Sequence, residues 1–191
     1  MRPARLFAII WIAWLLSWIV AAFWSDRAEK RLATWDVWSY RAVVAAGLIA
    51  LSHWTAGLFG EKRIWHVGYT GAYVLAGLTL AGILFAWWAR IHLGRLWSGG
   101  VTVKTGHRVV DTGPYSLVRH PIYTGLLAAS LATAVAQATA TALVGWMLIG
   151  LGLWLKARVE ERFLAAELDP QAYAAYRLRV PMLVPFLPLG S

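Results

Sequence analysis

The chain contains 191 residues, of which 60% are hydrophobic and 13 are tryptophan, a composition that excludes an ordinary soluble domain and indicates an integral membrane protein. It has no cysteine, which excludes disulfides, thiolate catalysis and cysteine-ligated metal sites. The formal net charge is +9, but the lysines and arginines lie in short segments beside apolar runs, so we expect membrane orientation and no nucleic-acid partner.

Residues 1–88 contain three apolar segments that are predicted to span the membrane: 6–24, 42–59 and 66–88. The first is too long and too rich in tryptophan for a cleaved signal peptide, so we interpret it as a retained helix. The polar segment 25–41 is predicted to be a solvated loop or a short interfacial helix. Trp35, Trp38 and Tyr40 would anchor it at the lipid headgroups. Four glycines of the third segment are expected to let neighbouring helices come close: Gly68, Gly71, Gly77 and Gly82.

A longer apolar stretch follows these three segments and covers residues 126–156. It is long enough for two short helices if 133–141 forms a tight turn, so we favour a helical hairpin over one very long span. Helical spacing continues into the charged tail that follows. Asp169-Pro170 is predicted to end that helix and to start another over 171–178.

The polar segment 89–120 cannot cross a bilayer, and within it 101–103 and 109–110 are predicted to be short extended pieces around a turn. The fold class is therefore an all-α integral membrane protein with about five transmembrane helices, the last two forming a hairpin. With the C-terminus in the cytosol, the cytosolic segments hold fourteen lysines and arginines and the opposite side holds four. This positive-inside bias puts 89–120 and the tail after Lys156 together on the cytosolic side.

Residues 113–125 contain six polar, aromatic or ionisable side chains immediately before an apolar run. Pro121 has a fixed φ and no N–H group, which suits the first position of a helix, so we predict that a helix begins there. Its first turn would leave free N–H groups and a positive dipole end beside Arg119, His120 and Tyr123, a site for an anionic ligand group. The alternative is an ordinary interfacial anchor of a membrane helix.

A series of short motifs follows in order over about residues 90–185: Leu93-Gly94, Trp97-Ser98, Gly106-His107-Arg108-Val109-Val110, Gly113-Pro114-Tyr115, Arg119-His120-Pro121-Ile122-Tyr123, Glu160-Glu161, Tyr173, Tyr176 and Val180-Pro181. In these motifs the chain resembles the isoprenylcysteine carboxyl methyltransferases and, more distantly, the phospholipid N-methyltransferases. The resemblance implies S-adenosylmethionine as methyl donor, held without a Rossmann fold by the cytosolic loop and the C-terminal helices. The donor-binding residues that it implies are His107, Arg108, Val109, Val110, Tyr115, His120, Pro121, Ile122, Tyr123 and one or both of Glu160 and Glu161.

The resemblance also suggests which cations take part in the reaction. Lys156 stands roughly where the family has an arginine proposed to hold the substrate carboxylate, Arg158 is a nearby substitute, and Arg119 is a third candidate. A carboxylate attacking a sulfonium methyl group joins opposite charges, so a dry site does not hinder it and no general base is needed. An amine or thiol acceptor would need a base, for which His107 and His120 are the candidates.

Three hypotheses about function follow. The first is a membrane methyltransferase acting on the carboxylate of an isoprenylated cysteine or a similar lipophilic acceptor, which would enter sideways from the bilayer. The second is methylation of a lipid amine or another small lipophilic acceptor, and the third is a non-catalytic membrane binding protein. The resemblance favours the first, with 1–88 as a three-helix membrane region and 89–191 as the catalytic region.

Overall fold

The computed structural model of the protein describes residues 3–24, 30–31, 35–52, 60–97, 102–103 and 109–187. Within these ranges the chain forms six α-helices: α1 (Pro3–Ala22), α2 (Trp35–Leu51), α3 (Tyr69–Leu93), α4 (Pro121–Gln137), α5 (Ala140–Glu167) and α6 (Pro170–Arg179). Two short 3-10 turns cover Gly94–Leu96 and Gly113–Ser116. Two strands of two residues each, β1 (Lys30–Arg31) and β2 (Thr102–Val103), pair in antiparallel fashion. The predicted helical architecture is confirmed.

Three helices of the described part of the chain are long and apolar enough to cross a bilayer. They are α1, α3 with the 3-10 turn that follows it, and α5. Helix α2 is apolar over the shorter segment Val37–Leu51. The outer face of α1 exposes large aliphatic side chains, among them Ile12, Leu16 and Val20, which suits contact with lipid tails.

The second predicted segment was placed too late in the sequence. Helix α2 begins at Trp35, inside the stretch that was predicted to be a loop or interfacial helix. This earlier start is possible because glycine and proline are absent from the first two turns of the helix and because one face of it packs on α5. Residues 53–59, the end of the predicted span, lie outside the described residues. Trp38 is exposed, as expected for an interfacial residue, but Tyr40 is only 3% exposed and faces the protein interior.

Helix α3 continues five residues past Trp88, where we expected the polar segment to begin. Arg90, which we expected in the polar segment, lies in this last part of the helix and is fully buried. Its guanidinium donates to the carbonyl oxygens of Gly94 (2.7 Å) and Ala21 (2.8 Å), and it lies 4.3 Å from the ring centroid of Trp97. Such contacts let the last turn of α3 carry a cation within the bundle and join it to the end of α1.

Helices α3 and α4 make backbone contact at glycine. A Cβ atom added to Gly82 would lie 2.6 Å from the carbonyl oxygen of Gly125 and 2.8 Å from the amide nitrogen of Ala129. The prediction of close helix contact is thus confirmed for Gly82. It is not confirmed for Gly68 and Gly77, where an added Cβ would have no heavy atom of the described residues within 4 Å.

Helices α2 and α5 form the second close pair. A Cβ on Gly145 would lie 2.8 Å from the carbonyl oxygen of Gly47, and a Cβ on Gly152 would lie 3.0 Å from the amide nitrogen of Val44. The two helices are therefore antiparallel, and the N-terminal part of α2 lies towards the charged half of α5.

Two residues, Ala138 and Thr139, connect α4 to α5. The connection is tighter than the predicted turn over 133–141, because α4 continues to Gln137 and α5 begins at Ala140. The Thr133 hydroxyl is accommodated within α4 by donating to a backbone carbonyl oxygen of the same helix. The amide of Ile64 donates to the carbonyl oxygen of Ala138 (2.7 Å), so the chain before α3 lies at this end of the bundle. The first residues of α4 and the last residues of α3 therefore lie at the opposite end, with the 3-10 turn Gly113–Ser116.

Candidate active site

Helix α4 begins at Pro121, as predicted. The chain just before it is paired with the C-terminal segment, because the amide of Arg119 donates to the carbonyl oxygen of Pro181 (2.8 Å) and that of His120 to Met182 (3.1 Å). The His120 amide, which precedes the helix, is therefore not free for an anionic ligand. Side chains, more than backbone groups, define the site.

Glu161 is bound on several sides by cations. Its carboxylate accepts hydrogen bonds from Arg119 Nε (2.6 Å) and Nη2 (3.3 Å) and lies 3.2 Å from His120 Nε2. Arg177 Nε approaches from α6 at 3.5 Å. Glu161 lies beyond the apolar part of α5; burial alone would raise its pKa, but the hydrogen bonds and charges of His120 and Arg119 lower the pKa from 4.5 to about 2. This carboxylate stays ionised and ties α4, α5 and α6 together.

Glu160 points to a different set of partners. The Tyr123 hydroxyl donates to Glu160 Oε2 (2.6 Å), Lys156 Nζ lies 3.7 Å from Oε1, and His120 Nδ1 lies 3.6 Å from Oε2. The Glu160 side chain is 16% exposed, whereas that of Glu161 is 5% exposed. Glu160 is therefore the more accessible of the two carboxylates.

Aromatic rings form the walls beside Glu160. The rings of His120 and Tyr123 are parallel to within 3°, with centroids 5.3 Å apart. Lys156 Nζ lies 5.0 Å from the centroid of Tyr123, so the ammonium faces a ring as well as a carboxylate. Flat rings beside a carboxylate and an ammonium suit a ligand that carries both charges and a planar group.

Tyr115 and Tyr176 connect the 3-10 turn to the last helix. The Tyr176 hydroxyl donates to the carbonyl oxygen of Tyr115 (2.8 Å), and the Tyr115 hydroxyl faces the carbonyl oxygen of Ala89 at 3.4 Å. Burial raises the pKa of both phenols well above the usual range, so both remain neutral. Tyr115 is thus held between α3 and α6.

The structure brings most of the predicted site residues together at one end of the bundle. The polar members of this group are Arg119, His120, Tyr123, Lys156, Glu160 and Glu161. Apolar members pack beneath or beside them: Val109, Val110, Tyr115, Pro121 and Ile122. Arg158 does not join the group, because it is exposed and lies over the ring of Trp154 at 5.6 Å. His107 and Arg108 lie outside the described residues.

Two residues near the site were missed by the sequence analysis. Arg177 pairs with Glu161 from α6, and Tyr40 lies beside Lys156 from α2, with 6.0 Å between Nζ and the ring centroid. No spacing in the sequence connects either residue to its partner. A basic residue in the last turn of the predicted helix 171–178 was the one available signal, and it pointed to Arg177 alone.

In the described ranges, no three or more His, Asp or Glu side chains are placed to hold a metal ion. A cavity of about 340 Å³ lies at the other end of the bundle, lined in part by Phe7, Arg63, His66 and Gln137. It contains none of the predicted site residues. The charged cluster around Glu160 is therefore the better candidate for chemistry.

Comparison with known proteins links this cluster to a family. Residues 75–166 match the model of the isoprenylcysteine carboxyl methyltransferase (ICMT) family. The chain is 27% identical over 174 residues to a probable protein-S-isoprenylcysteine O-methyltransferase of Oryza sativa, in both subspecies indica and japonica, covering 89% of this chain and 88% of the rice protein. The matched range includes Lys156 and both glutamates of the cluster.

A bacterial relative carries a different name. The chain is 33% identical over 171 residues to the cobalt-zinc-cadmium resistance protein CzcN of Cupriavidus metallidurans. The alignment covers 84% of this chain, which spans 66% of the length of CzcN.

Proposed function

We propose that the chain, whose residues 75–166 match the isoprenylcysteine carboxyl methyltransferase family, is an S-adenosylmethionine-dependent membrane methyltransferase. We propose as its acceptor the carboxylate of an isoprenylated cysteine or of a similar lipophilic molecule. The observation that carries the proposal is the position of Glu160 between the Tyr123 hydroxyl and the Lys156 ammonium, within the range that the family match covers.

The residues of the cluster fit the proposed donor. S-adenosylmethionine supplies a methyl group on a positively charged sulfur and also carries an ammonium, a carboxylate and a planar base. The accessible carboxylate of Glu160 suits the cationic groups, and the parallel rings of His120 and Tyr123 suit a planar or cationic one. We assign Glu160 to the donor and Glu161 to holding Arg119 and His120 in place. The other donor contacts are assigned to 107–110, Tyr115, Pro121 and Ile122, on the family resemblance.

Lys156 is the proposed binding group for the acceptor carboxylate. It is 15% exposed and faces inward on the Tyr123 ring, whereas Arg158 faces outward and Arg119 is occupied by Glu161. A carboxylate needs no base to accept a methyl group. The chain therefore has to orient the acceptor, hold its charge and exclude water, and orientation alone is worth several kcal/mol in such reactions.

We further propose five membrane spans, with α4 and α5 as a hairpin and the cluster facing the cytosol. The positive-inside count supports this orientation, and the cluster lies at the end of the bundle where α4 begins and the charged part of α5 emerges. In this arrangement the donor enters from the cytosol, and the lipophilic acceptor enters from the bilayer. The region 1–88 then serves as the membrane part and 89–191 as the catalytic part.

Donor binding by the purified protein tests the proposal. We expect His120→Ala and Glu160→Gln each to weaken S-adenosylmethionine binding about tenfold or more, equivalent to about 1.4 kcal/mol, in isothermal calorimetry. Glu167→Gln, at the end of the same helix, is the matched control and should bind as the unmodified protein does. Thermal unfolding of each variant separates loss of binding from loss of folding. Unchanged affinity in both site variants would remove these residues from the donor site.

Acceptor assays separate the first hypothesis from the second. With tritiated S-adenosylmethionine, we expect label to be transferred to a prenylcysteine analogue that has a free carboxylate. A membrane lipid extract is the parallel substrate. Transfer only to an amine lipid would favour the second hypothesis, and absence of donor binding would overturn the proposed function.

A further inference from the structure

Tyr40 on α2 carries a buried hydroxyl group with no hydrogen-bond partner in the described part of the chain. Its side chain is 3% exposed, and buried hydroxyl groups are nearly always hydrogen-bonded. The guanidinium of Arg41 lies over the ring of Trp38 and is also close enough to interact with the hydroxyl, but a hydrogen bond of normal geometry is not formed. A polar group left unpaired in this way lowers stability, so its presence calls for an explanation, of which a functional role is one.

The position of Tyr40 is set by close contact between α2 and α5. A Cβ on Gly152 would lie 3.2 Å from the carbonyl oxygen of Tyr40, so the two backbones nearly touch one helical turn before Lys156. Lys156 Nζ then lies 6.0 Å from the ring centroid of Tyr40 and 5.0 Å from that of Tyr123. Two tyrosine rings therefore flank the ammonium that is proposed to bind the acceptor.

The hydroxyl groups of the two tyrosines differ in what they bind. Tyr123 donates to Glu160 at 2.6 Å, so its proton is already used. Glu160 is also paired with Lys156, which reduces the negative charge that an acceptor carboxylate would meet. Tyr40 is thus the tyrosine beside Lys156 whose hydroxyl still lacks an acceptor among the described residues.

We propose that the Tyr40 hydroxyl donates a hydrogen bond to the carboxylate of the methyl acceptor, next to Lys156. This inference rests on the proposed function and adds a residue from α2, which lies outside the range 75–166 of the family match. The hydroxyl keeps its proton throughout, because a carboxylate releases none when it is methylated. The Tyr40 hydroxyl, which donates a hydrogen bond, and the Lys156 ammonium together balance the charge of the carboxylate and orient it.

Tyr40→Phe tests the inference, because it removes the hydroxyl and keeps the ring. We expect the acceptor KM to rise on the order of tenfold while donor affinity stays within about twofold. The melting temperature in detergent should stay the same or rise, because no internal hydrogen bond is lost. The increase in melting temperature that the prenylcysteine analogue produces in the unmodified protein should be smaller in the variant.

Tyr69→Phe is the matched control, because Tyr69 is 75% exposed at the start of α3, at the other end of the bundle. It should leave the acceptor KM and the acceptor-induced shift unchanged. An unchanged acceptor KM in Tyr40→Phe overturns the inference, as does a lower melting temperature with unchanged kinetics, which would make the hydroxyl structural. If the unmodified protein binds no donor and methylates no carboxylate, the proposed function itself fails. An active enzyme whose acceptor KM is unaffected by Tyr40→Phe is a different result, which overturns only the role of Tyr40.

Discussion

Lys156 and Arg158 show how two neighbouring cations on one helix obtain different environments. Residues two apart on an α-helix point in directions that differ by more than a quarter turn, so only one of them can face the cluster. Lys156 does, between Tyr123 and Glu160, while Arg158 lies outward over Trp154. The same holds for the adjacent glutamates, of which one faces Lys156 and the other faces Arg119.

At the residue scale we predict that Lys156→Met lowers acceptor-dependent kcat/KM by about 10–100-fold, the effect of losing one charge-assisted hydrogen bond. Donor affinity should stay within a few-fold, because the change removes the acceptor cation and keeps the length of the side chain. Lys156→Arg should retain activity, since a guanidinium also binds a carboxylate. Steady-state turnover with a prenylcysteine analogue is the measurement.

Arg158→Met is the matched control for this experiment, because it deletes the same charge from the outward face of α5. It should leave kcat/KM unchanged. Full activity of Lys156→Met towards the carboxylate acceptor would remove Lys156 from the acceptor site. Equal losses in both variants would show a general effect of net charge instead.

At the scale of elements, the bundle is organised by two close helix pairs, α3 with α4 and α2 with α5. Small residues at these crossings let backbones touch, which is the usual basis of helix association in membranes. The α3–α4 pair places the end of α3 beside Tyr115, and the α2–α5 pair places Tyr40 beside Lys156. Both walls of the site therefore depend on glycine contacts located further along the helices.

We predict that Gly82→Ala destabilises the protein, whereas Gly77→Ala does not. The new methyl group at position 82 would meet backbone atoms of α4 at 2.6 Å and 2.8 Å, so the helices must separate, at a cost of about 1–3 kcal/mol. At position 77 no atom of the described residues lies within 4 Å, and alanine should be neutral or should add up to about 1 kcal/mol of helix propensity. Thermal unfolding followed by circular dichroism in detergent compares the two. Equal melting temperatures would contradict the predicted contact.

At the scale of the whole molecule, the two ends of the bundle have different chemistry. One end holds the cluster around Glu160 and the C-terminal segment, and the other holds the chain before α3, where the carboxylate of Glu61 accepts from the first turn of α5 at Thr141. In the predicted five-span topology, fourteen lysines and arginines belong to the side of the cluster and four to the opposite side. Membrane orientation and site location are therefore linked.

The predicted orientation can be tested by labelling single cysteines, because the chain has none of its own. Ser116 lies exposed next to the cluster, and Lys62 lies exposed at the other end. An impermeant maleimide added to intact cells should modify Lys62→Cys, and should modify Ser116→Cys only after the membrane is permeabilised. Labelling of Ser116→Cys in intact cells would reverse the orientation and place the proposed donor site on the wrong side.

The sequence by itself determined the features that depend on local chemistry. Its apolar composition indicated a helical membrane protein, because a backbone in lipid must satisfy its own hydrogen bonds. Proline set the start of α4 at Pro121, and Asp169-Pro170 separated α5 from α6, where the Asp169 carboxylate accepts from the amide of Gln171 (2.9 Å). The motifs over residues 90–185 pointed to the same family whose model matches residues 75–166, because order and spacing can be compared without knowledge of the fold.

Only the tertiary structure decided which side chains meet. The sequence could not separate Glu160 from Glu161, because their difference lies in partners from α4 and α6 that are distant in the chain. It placed Tyr40 at the headgroups, since an aromatic residue beside charged ones has the same local pattern whether it faces lipid or α5. It treated Gly77 and Gly82 alike, although only one of them faces a neighbouring helix. The rotation of each helix about its axis, and so the face that it presents to the others, is settled by contacts between helices and has no local signature here.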